Sequence, residues 1–316
     1  MADIKIDDIT KTVEDMIASL LPDESRCPSD IAGAMNYSMT AGGKRIRPVL
    51  MYLTYMAMAS EEEALEDSKT CNVLKSFVAA IEMIHTHSLI HDDLPALDND
   101  TLRRGKPTVH VQYNESTAIL AGDALLNYAY ETAAESLDEI AKENSDVEAA
   151  KVLIKGCKAL KVLLSKTGVD GMLGGQGLDV QLSGSRITDE QRDYIYKNKT
   201  CALIEAPLMI GAILSGAEDG IISKMEETGE AVGMAFQVQD DILDTIGDSE
   251  KLGKEVHQDE RNLKNTFVTQ YGIEKSKEYV KAQSKKAVEI IENTVPDNKY
   301  RRALVELVIM LTDREF

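Results

Sequence analysis

The chain has no tryptophan, only four phenylalanines, and 5% aromatic residues in all. Sheets draw on aromatic and β-branched residues. Their scarcity, beside abundant Leu, Ile, Met, Ala, Glu and Lys, favours helices packed on helices. Basic residues are short as well: 35 Lys and Arg stand against 54 Asp and Glu, giving a net charge of −19 and a pI near 4.7. A nucleic-acid partner needs a broad basic footprint, so none is expected. The cysteines, Cys27, Cys71, Cys157 and Cys201, are scattered singly without metal-ligand spacing. They read as reduced thiols of a cytoplasmic protein. Apolar stretches are interrupted by polar groups, and the opening MADIKIDDITK lacks the charged-then-apolar pattern of a signal peptide. No membrane anchor is expected.

What is present is helical periodicity. Ile9, Val13, Ile17 and Leu20 mark a first amphipathic helix over residues 8–21, ended by Pro22. Helices are expected from Ser29 to Met39, with Ile31, Ala34 and Met35 inward, from Val49 to Ala59 with Pro48 in the first turn, and over 70–94 before Pro95. More follow over Thr117–Ser136, Ala149–Leu164, Tyr194–Ala206 and Lys224–Ile246, then Thr266–Gln270, Ser276–Ile291 and Asn298–Leu311. Ala141–Asp146 reads as a connection, Thr188 with Gln191 as a capping box, and Pro207 as a kink or boundary. Glycines within 168–177 imply close approach of a helix or ligand, with Gln176 and Asp179 lining a cavity. The expected fold is all-α, a single domain over 1–316 of about ten helices or more.

Two acidic clusters stand out. LIHDDLPALDND holds Asp92, Asp93 and Asp98, and VQDDILD holds Asp240, Asp241 and Asp244. Each follows a long apolar helical run, so carboxylates stand where a buried helix ends or lines a cavity. Neighbouring carboxylates repel, and burying them is costly unless cations neutralise them. Mg²⁺ is the fitting cation, since it prefers carboxylate, water and phosphate oxygens. Asp240 and Asp244 are one turn apart, roughly 40° around the helix, so both reach one cation group. His85 lies roughly 20° from Asp92, but the histidines form no zinc set.

Basic residues follow or accompany each cluster. Lys44, Arg45 and Arg47 gather in GGKRIRP at a loop-to-helix junction, a natural anion site. Arg103, Arg104 and Lys106 trail the first cluster; Lys254 and Lys264 trail the second, and Lys199 with Thr200 precedes it. Surface ion pairing accounts for some of this. The same pairing of acids with forked donors suits a metal–diphosphate complex.

GGKRIRP, HDDLPALDND with LRRGKP, Lys199-Thr200, and FQVQDDILD together resemble the trans-isoprenyl diphosphate synthases, the polyprenyl synthetase family, in motif order from about residue 38 to 268. The resemblance implies an isoprenoid synthase fold: helices around a central deep cavity. It implies short-chain prenyl transfer between isopentenyl diphosphate and allylic diphosphates in a homodimer. Asp92 and Asp98, with Asp93 supporting, and Asp240, with Asp241 and Asp244 helping, are implied to hold three Mg²⁺ ions. Arg103, Lys199, Thr200, Gln237 and Lys254, assisted by Lys264, are implied to grip the allylic diphosphate. Lys44, Arg47, His85 and Arg104 are implied to bind that of isopentenyl diphosphate.

Relatives usually carry His where Tyr196 stands and Gly where Cys201 stands. Ile84, His87 and Ser88 are expected to bound the product tail. A C15 farnesyl product is favoured, with C20 geranylgeranyl as the alternative. A class I terpene cyclase has no use for GGKRIRP, and a non-catalytic subunit typically erodes an aspartate cluster, whereas both are intact here.

Overall fold

The computed structural model describes residues 4–26, 29–65, 68–143, 147–246 and 266–313, and the statements below concern those residues. They form two compact units. One is drawn from Asp7–Tyr52 and Ser60–Leu160, the other from Met1–Ile6, Leu53–Ala59 and Lys161–Phe316. The fold is an all-α bundle, with one small hairpin in the first unit.

The first unit is organised on α4 (Lys69–Asp92), packed along α6 (Glu115–Glu143). α4 is apolar nearly all round: Val73, Leu74, Phe77, Val78, Ile81 and Ile84 are completely buried. A helix of that kind belongs in a core. Its length and composition would also allow a membrane span, but 78% of that window is buried within the protein. Ser68 caps its start by accepting from the Cys71 N–H. Around this pair lie α1 (Ile6–Ala18), α2 (Ile31–Met39), the first part of α3 (Ile46–Met58), α5 (Val109–Gln112) and most of α7 (Val147–Thr167). Ile9, Val13, Ile17, Ala34 and Met35 are buried as expected, while Ile31 is only half-buried. α3 begins two residues before Pro48, which sits in its first turn. The expected connection from Ala141 is helical to Glu143, and Asp138 and Lys142 pair one turn apart at the end of α6.

The hairpin pairs β1 (Leu102–Arg103) with β2 (Lys106–Pro107). Arg104 and Gly105 between them have φ of 53° and 75°. Two positive φ values fit the mirror-image turn that suits strand twist.

The second unit contains α8 (Met172–Gln181), α9 (Asp189–Ile195), α10 (Ala202–Leu214), α11 (Asp219–Ile246), α12 (Phe267–Tyr271), α13 (Ile273–Thr294) and α14 (Lys299–Thr312). α11 is its axis, packed against α10 and α13. The expected helix over Tyr194–Ala206 is not continuous: a π-helical turn, Tyr196–Cys201, joins α9 to α10. Pro207 lies inside α10 rather than ending it. An interior proline costs about 3 kcal/mol. Every residue of α10 is buried, and six of them are large aliphatic side chains at no more than 2% exposure, Leu203, Ile204, Leu208, Ile210, Ile213 and Leu214. At about 1.5–3 kcal/mol for each, that burial wins. Cys71, Cys157 and Cys201 are free thiols; Cys27 lies outside the described residues.

The π turn is pressed closely by neighbours that lack side chains. A Cβ on Gly175 of α8 would lie 2.2 Å from the Lys199 amide nitrogen, and one on Gly233 of α11 would lie 2.6 Å from the Cys201 Cα. Alanine normally gains about 1 kcal/mol over glycine within a helix. At Gly175 the obstruction is backbone, so the sign reverses. Gly175→Ala is expected to lose about 1–3 kcal/mol of stability; an unchanged urea midpoint would refute this close approach.

Candidate active site

The first acidic cluster is shaped by the end of α4. The Asp93 N–H donates to the Leu89 carbonyl (3.1 Å), the Asp98 N–H to the Asp92 carbonyl (2.9 Å), and the Asn99 N–H to the Leu94 carbonyl (3.1 Å). The loop therefore folds back and returns Asp98 to the helix end. Asp92 is half-buried, Asp98 exposed and Asp93 buried. Asp93 is bound by Arg103, whose Nε and Nη2 lie 2.6 and 2.5 Å from its Oδ1. Burial pushes the Asp93 carboxyl above its usual range, and Arg103 pulls against it. Arg103 also approaches Asp100 at 3.3 Å.

The basic residues divide by role. In GGKRIRP, Arg45 is buried, donating from Nη1 to Glu82 (2.7 Å) and from Nη2 to the Met39 carbonyl (2.6 Å). It braces the loop. Lys44 is exposed, and Arg47 is half-buried with its Nε enclosed and without a hydrogen-bond partner. His85 has an enclosed Nδ1 in the same condition. Burial brings the Arg47 guanidinium down to about 10, with Glu82 opposing and Arg104 adding to the fall. Burial, followed by Arg47, Arg104, Arg103 and Arg45, holds His85 well below the ordinary imidazole range. Arg104 reaches back to donate to the Gly42 carbonyl. Lys44, Arg47, His85 and Arg104 thus share the first unit, and two of them carry polar nitrogens that form no hydrogen bond among the described residues. An unpaired buried polar group costs about 1–3 kcal/mol. An anion here would recover that cost.

Three non-glycine residues adopt positive φ: Arg45 (48°), Asn99 (53°) and Arg104 (53°). Each adjoins a residue of the candidate site. Such conformations are strained and gather where function fixes the backbone.

In the second unit, Lys199 and Thr200 ride on the π turn, and Gln237, Asp240, Asp241 and Asp244 on α11. Lys199 Nζ lies 2.6 Å from Asp179 Oδ2. Thr200 donates to Gln237 Oε1 (2.8 Å), and Gln237 donates from Nε2 to Asp241 Oδ1 (3.1 Å). Tyr196 donates to Asp241 Oδ2 (2.5 Å) and accepts from the Phe267 N–H (3.4 Å). Asp179, Ser183, Ser185, Lys199, Thr200 and Gln237 help line a cavity of about 120 Å³. Asp240 is half-buried and Asp244 buried. Lys254 and Lys264 lie outside the described residues. Asp179 was visible in sequence as a cavity-lining carboxylate, but its pairing with Lys199 was not. Tyr196 was visible only as a departure from its relatives.

Among the described residues, no three His, Cys, Asp or Glu side chains converge to hold an ion alone. The carboxylates still suit Mg²⁺, which binds one or two of them and keeps water and phosphate oxygens as its other ligands.

Ile84 is completely buried. Ser88 donates to the His85 carbonyl of its own helix (2.8 Å). His87 is buried, with Nδ1 2.9 Å from the Gly122 carbonyl of α6 and its ring 4.6 Å from that of His91. A carbonyl only accepts, so the bond calls for a proton on Nδ1. Burial lowers His87 to about 4.

The chain matches the family model described as Polyprenyl synthetase over residues 28–308. It is 39% identical over 278 residues to a farnesyl diphosphate synthase of Haemophilus influenzae, covering 87% of each chain. It is 40% identical over 265 residues to a geranylgeranyl diphosphate synthase of Cyanophora paradoxa, covering 84% of this chain and 81% of that one. A solved Helicobacter pylori geranyltransferase, complexed with magnesium and isoprenyl diphosphate, is similar at a TM-score of 0.80 and 29% identity over 99% of both chains.

His87 sets a pH dependence. The folded imidazole takes up its proton near 4 and a free one near 6.5. Between those values the unfolded chain binds more protons, so stability falls as pH drops, by up to about 1.4 kcal/mol per pH unit for one proton. His87→Gln is expected to flatten the decline in urea midpoint between pH 6.5 and 4; an unchanged slope would exclude His87 as a source.

Proposed function

The chain belongs to the polyprenyl synthetase family, and we propose that it is the Mg²⁺-dependent synthase of farnesyl diphosphate, joining isopentenyl diphosphate to dimethylallyl and geranyl diphosphates. What carries this reading is that both acidic clusters and their basic partners are intact within the matched span, 28–308. That span also supports one synthetase domain over 1–316.

Asp92 and Asp98 would hold Mg²⁺ at the first cluster, and Asp240 and Asp244 at the second, three ions in all. When bound, Mg²⁺ neutralises charge on the leaving diphosphate. Arg103, Lys199, Thr200 and Gln237 grip that group, together with Lys254 and Lys264. Arg103 stays charged and aimed because Asp93 holds it. Lys44, Arg47, His85 and Arg104 seat isopentenyl diphosphate, where the unsatisfied Arg47 Nε and His85 Nδ1 meet phosphate oxygens.

As the allylic C1–O bond ionises, Arg103 and Lys199 stabilise the negative charge growing on the diphosphate. The isopentenyl double bond attacks C1, and the proton lost goes to the departing diphosphate, leaving an allylic diphosphate longer by one C5 unit. Water must be kept out, since it would capture the cation.

Ile84, His87 and Ser88 bound the tail in this reading, and His87, fixed to the Gly122 carbonyl, stops it at C15. A C20 product is the second reading, favoured by the 40% identity to a geranylgeranyl diphosphate synthase. The enzyme works in the cytoplasm as a homodimer, and exposed Ile119 and Leu120 on α6 supply apolar surface for self-association.

Incubation with Mg²⁺, isopentenyl diphosphate and each of dimethylallyl, geranyl and farnesyl diphosphates tests this directly. Dimethylallyl and geranyl primers should both yield farnesyl diphosphate; no elongation of any primer would overturn the reading. Asp92→Asn and Asp240→Asn should each lower kcat by roughly 10²–10³-fold. His87→Ala should lengthen the product, and an unchanged chromatographic profile would remove His87 as the stop.

A further inference from the structure

Asp241 is 3% exposed, and both its oxygens are met, Oδ1 by the Gln237 amide and Oδ2 by the Tyr196 hydroxyl. Tyr196, at 7% exposure, opens the π turn that carries Lys199 and Thr200. Its hydroxyl is itself held by the Phe267 N–H. The direction of every bond follows. With its N–H given to Asp241, the Gln237 amide must turn its carbonyl to Thr200, and the Thr200 hydroxyl must donate to it. Asp241 is therefore the point on which the orientation of Gln237 and Thr200 depends.

We propose that Tyr196 is a positioning residue for prenyl transfer: its hydroxyl fixes the Asp241 carboxylate and, through Gln237, sets the Thr200 hydroxyl that receives the allylic diphosphate. This rests on the reading of Lys199, Thr200 and Gln237 as the allylic diphosphate's grip. Tyr196 itself touches neither substrate nor reacting atoms in this role. Without its hydroxyl, Asp241 Oδ2 loses a donor at a buried position, the carboxylate turns, and the Gln237 amide is free to flip. The isopentenyl diphosphate set, Lys44, Arg47, His85 and Arg104, belongs to the first unit and the relay to the second, so its affinity should not move.

Tyr196→Phe removes the hydroxyl and keeps the ring that packs with Ile195, Val238 and Ile242. In calorimetric titration with Mg²⁺ and geranyl thiolodiphosphate, whose C–S bond does not ionise, Tyr196→Phe should bind roughly 10–100-fold more weakly than wild type, the usual cost of losing an outer-shell partner. The KM for geranyl diphosphate should rise with it, while that for isopentenyl diphosphate stays within about twofold. Tyr196→His, which restores a ring N–H donor, should recover part of the affinity. Unchanged binding of the analogue by Tyr196→Phe would overturn the proposal, as would an equal rise of both KM values with no recovery in Tyr196→His. Wild-type protein that fails to bind the analogue with Mg²⁺ would overturn the prenyl-transfer reading itself, and this proposal with it.

Discussion

A charge removed from water must be met by an opposite charge or by donors, and the polar architecture of this protein follows from that demand. Arg45 is met by Glu82, Asp93 by Arg103, Lys199 by Asp179, and Asp241 by Tyr196 and Gln237. Lys166 likewise bridges the buried Glu205 and the more exposed Glu226. Breaking a pair buried on both sides, as Arg45–Glu82 is, by removing one member costs about 3–5 kcal/mol. Some enclosed atoms go without a hydrogen-bond partner among the described residues, Arg45 Nε and Glu205 Oε1 included, and the Arg47 Nε and the His85 Nδ1 are two more. These last two lie in the one basic group that the reading reserves for a ligand's diphosphate, where incompleteness is useful.

Much of this was legible in the sequence, for a plain reason. α4 and α11 announce themselves by apolar periodicity, and each ends in aspartates that no ordinary core helix would carry. Other features depend on backbone conformation that the residue names do not encode. Arg45 and Arg47 look equivalent in GGKRIRP, yet Arg45 has a positive φ and pairs inward with Glu82, while Arg47 lies in the first turn of a helix. Arg104-Gly105 forms a tight hairpin without the Asn-Gly or Asp-Gly that usually signals one. The π turn has no compositional signature at all; YKNKTC reads as ordinary helix, and only packing against Gly175 and Gly233 distinguishes it.

The residues expected to bound the tail show how contacts refine a list. Ser88 is satisfied within its own helix, whereas His87 and His91 both bond to carbonyls of α6, at Gly122 (2.9 Å) and Ile119 (3.1 Å). The imidazole at position 87 is therefore an anchored group, whose orientation belongs as much to α6 as to α4.

The π turn has a further consequence for how the second unit tolerates change in chain length. A π turn accommodates about one residue more than an α-helix of the same span. Deleting any single residue from Tyr196–Cys201 would let α9 and α10 merge into one regular helix. The turn absorbs that extra residue, so the faces of α9 and α10 keep their phase when it closes to an ordinary helix. A deletion within α10 itself has no such slack and would rotate what precedes it by about 100° against a helix that is buried on every face. The segment thus acts as a buffer of chain length between two helices: loss of a residue within it is a local event, whereas loss of one from α10 is a global one.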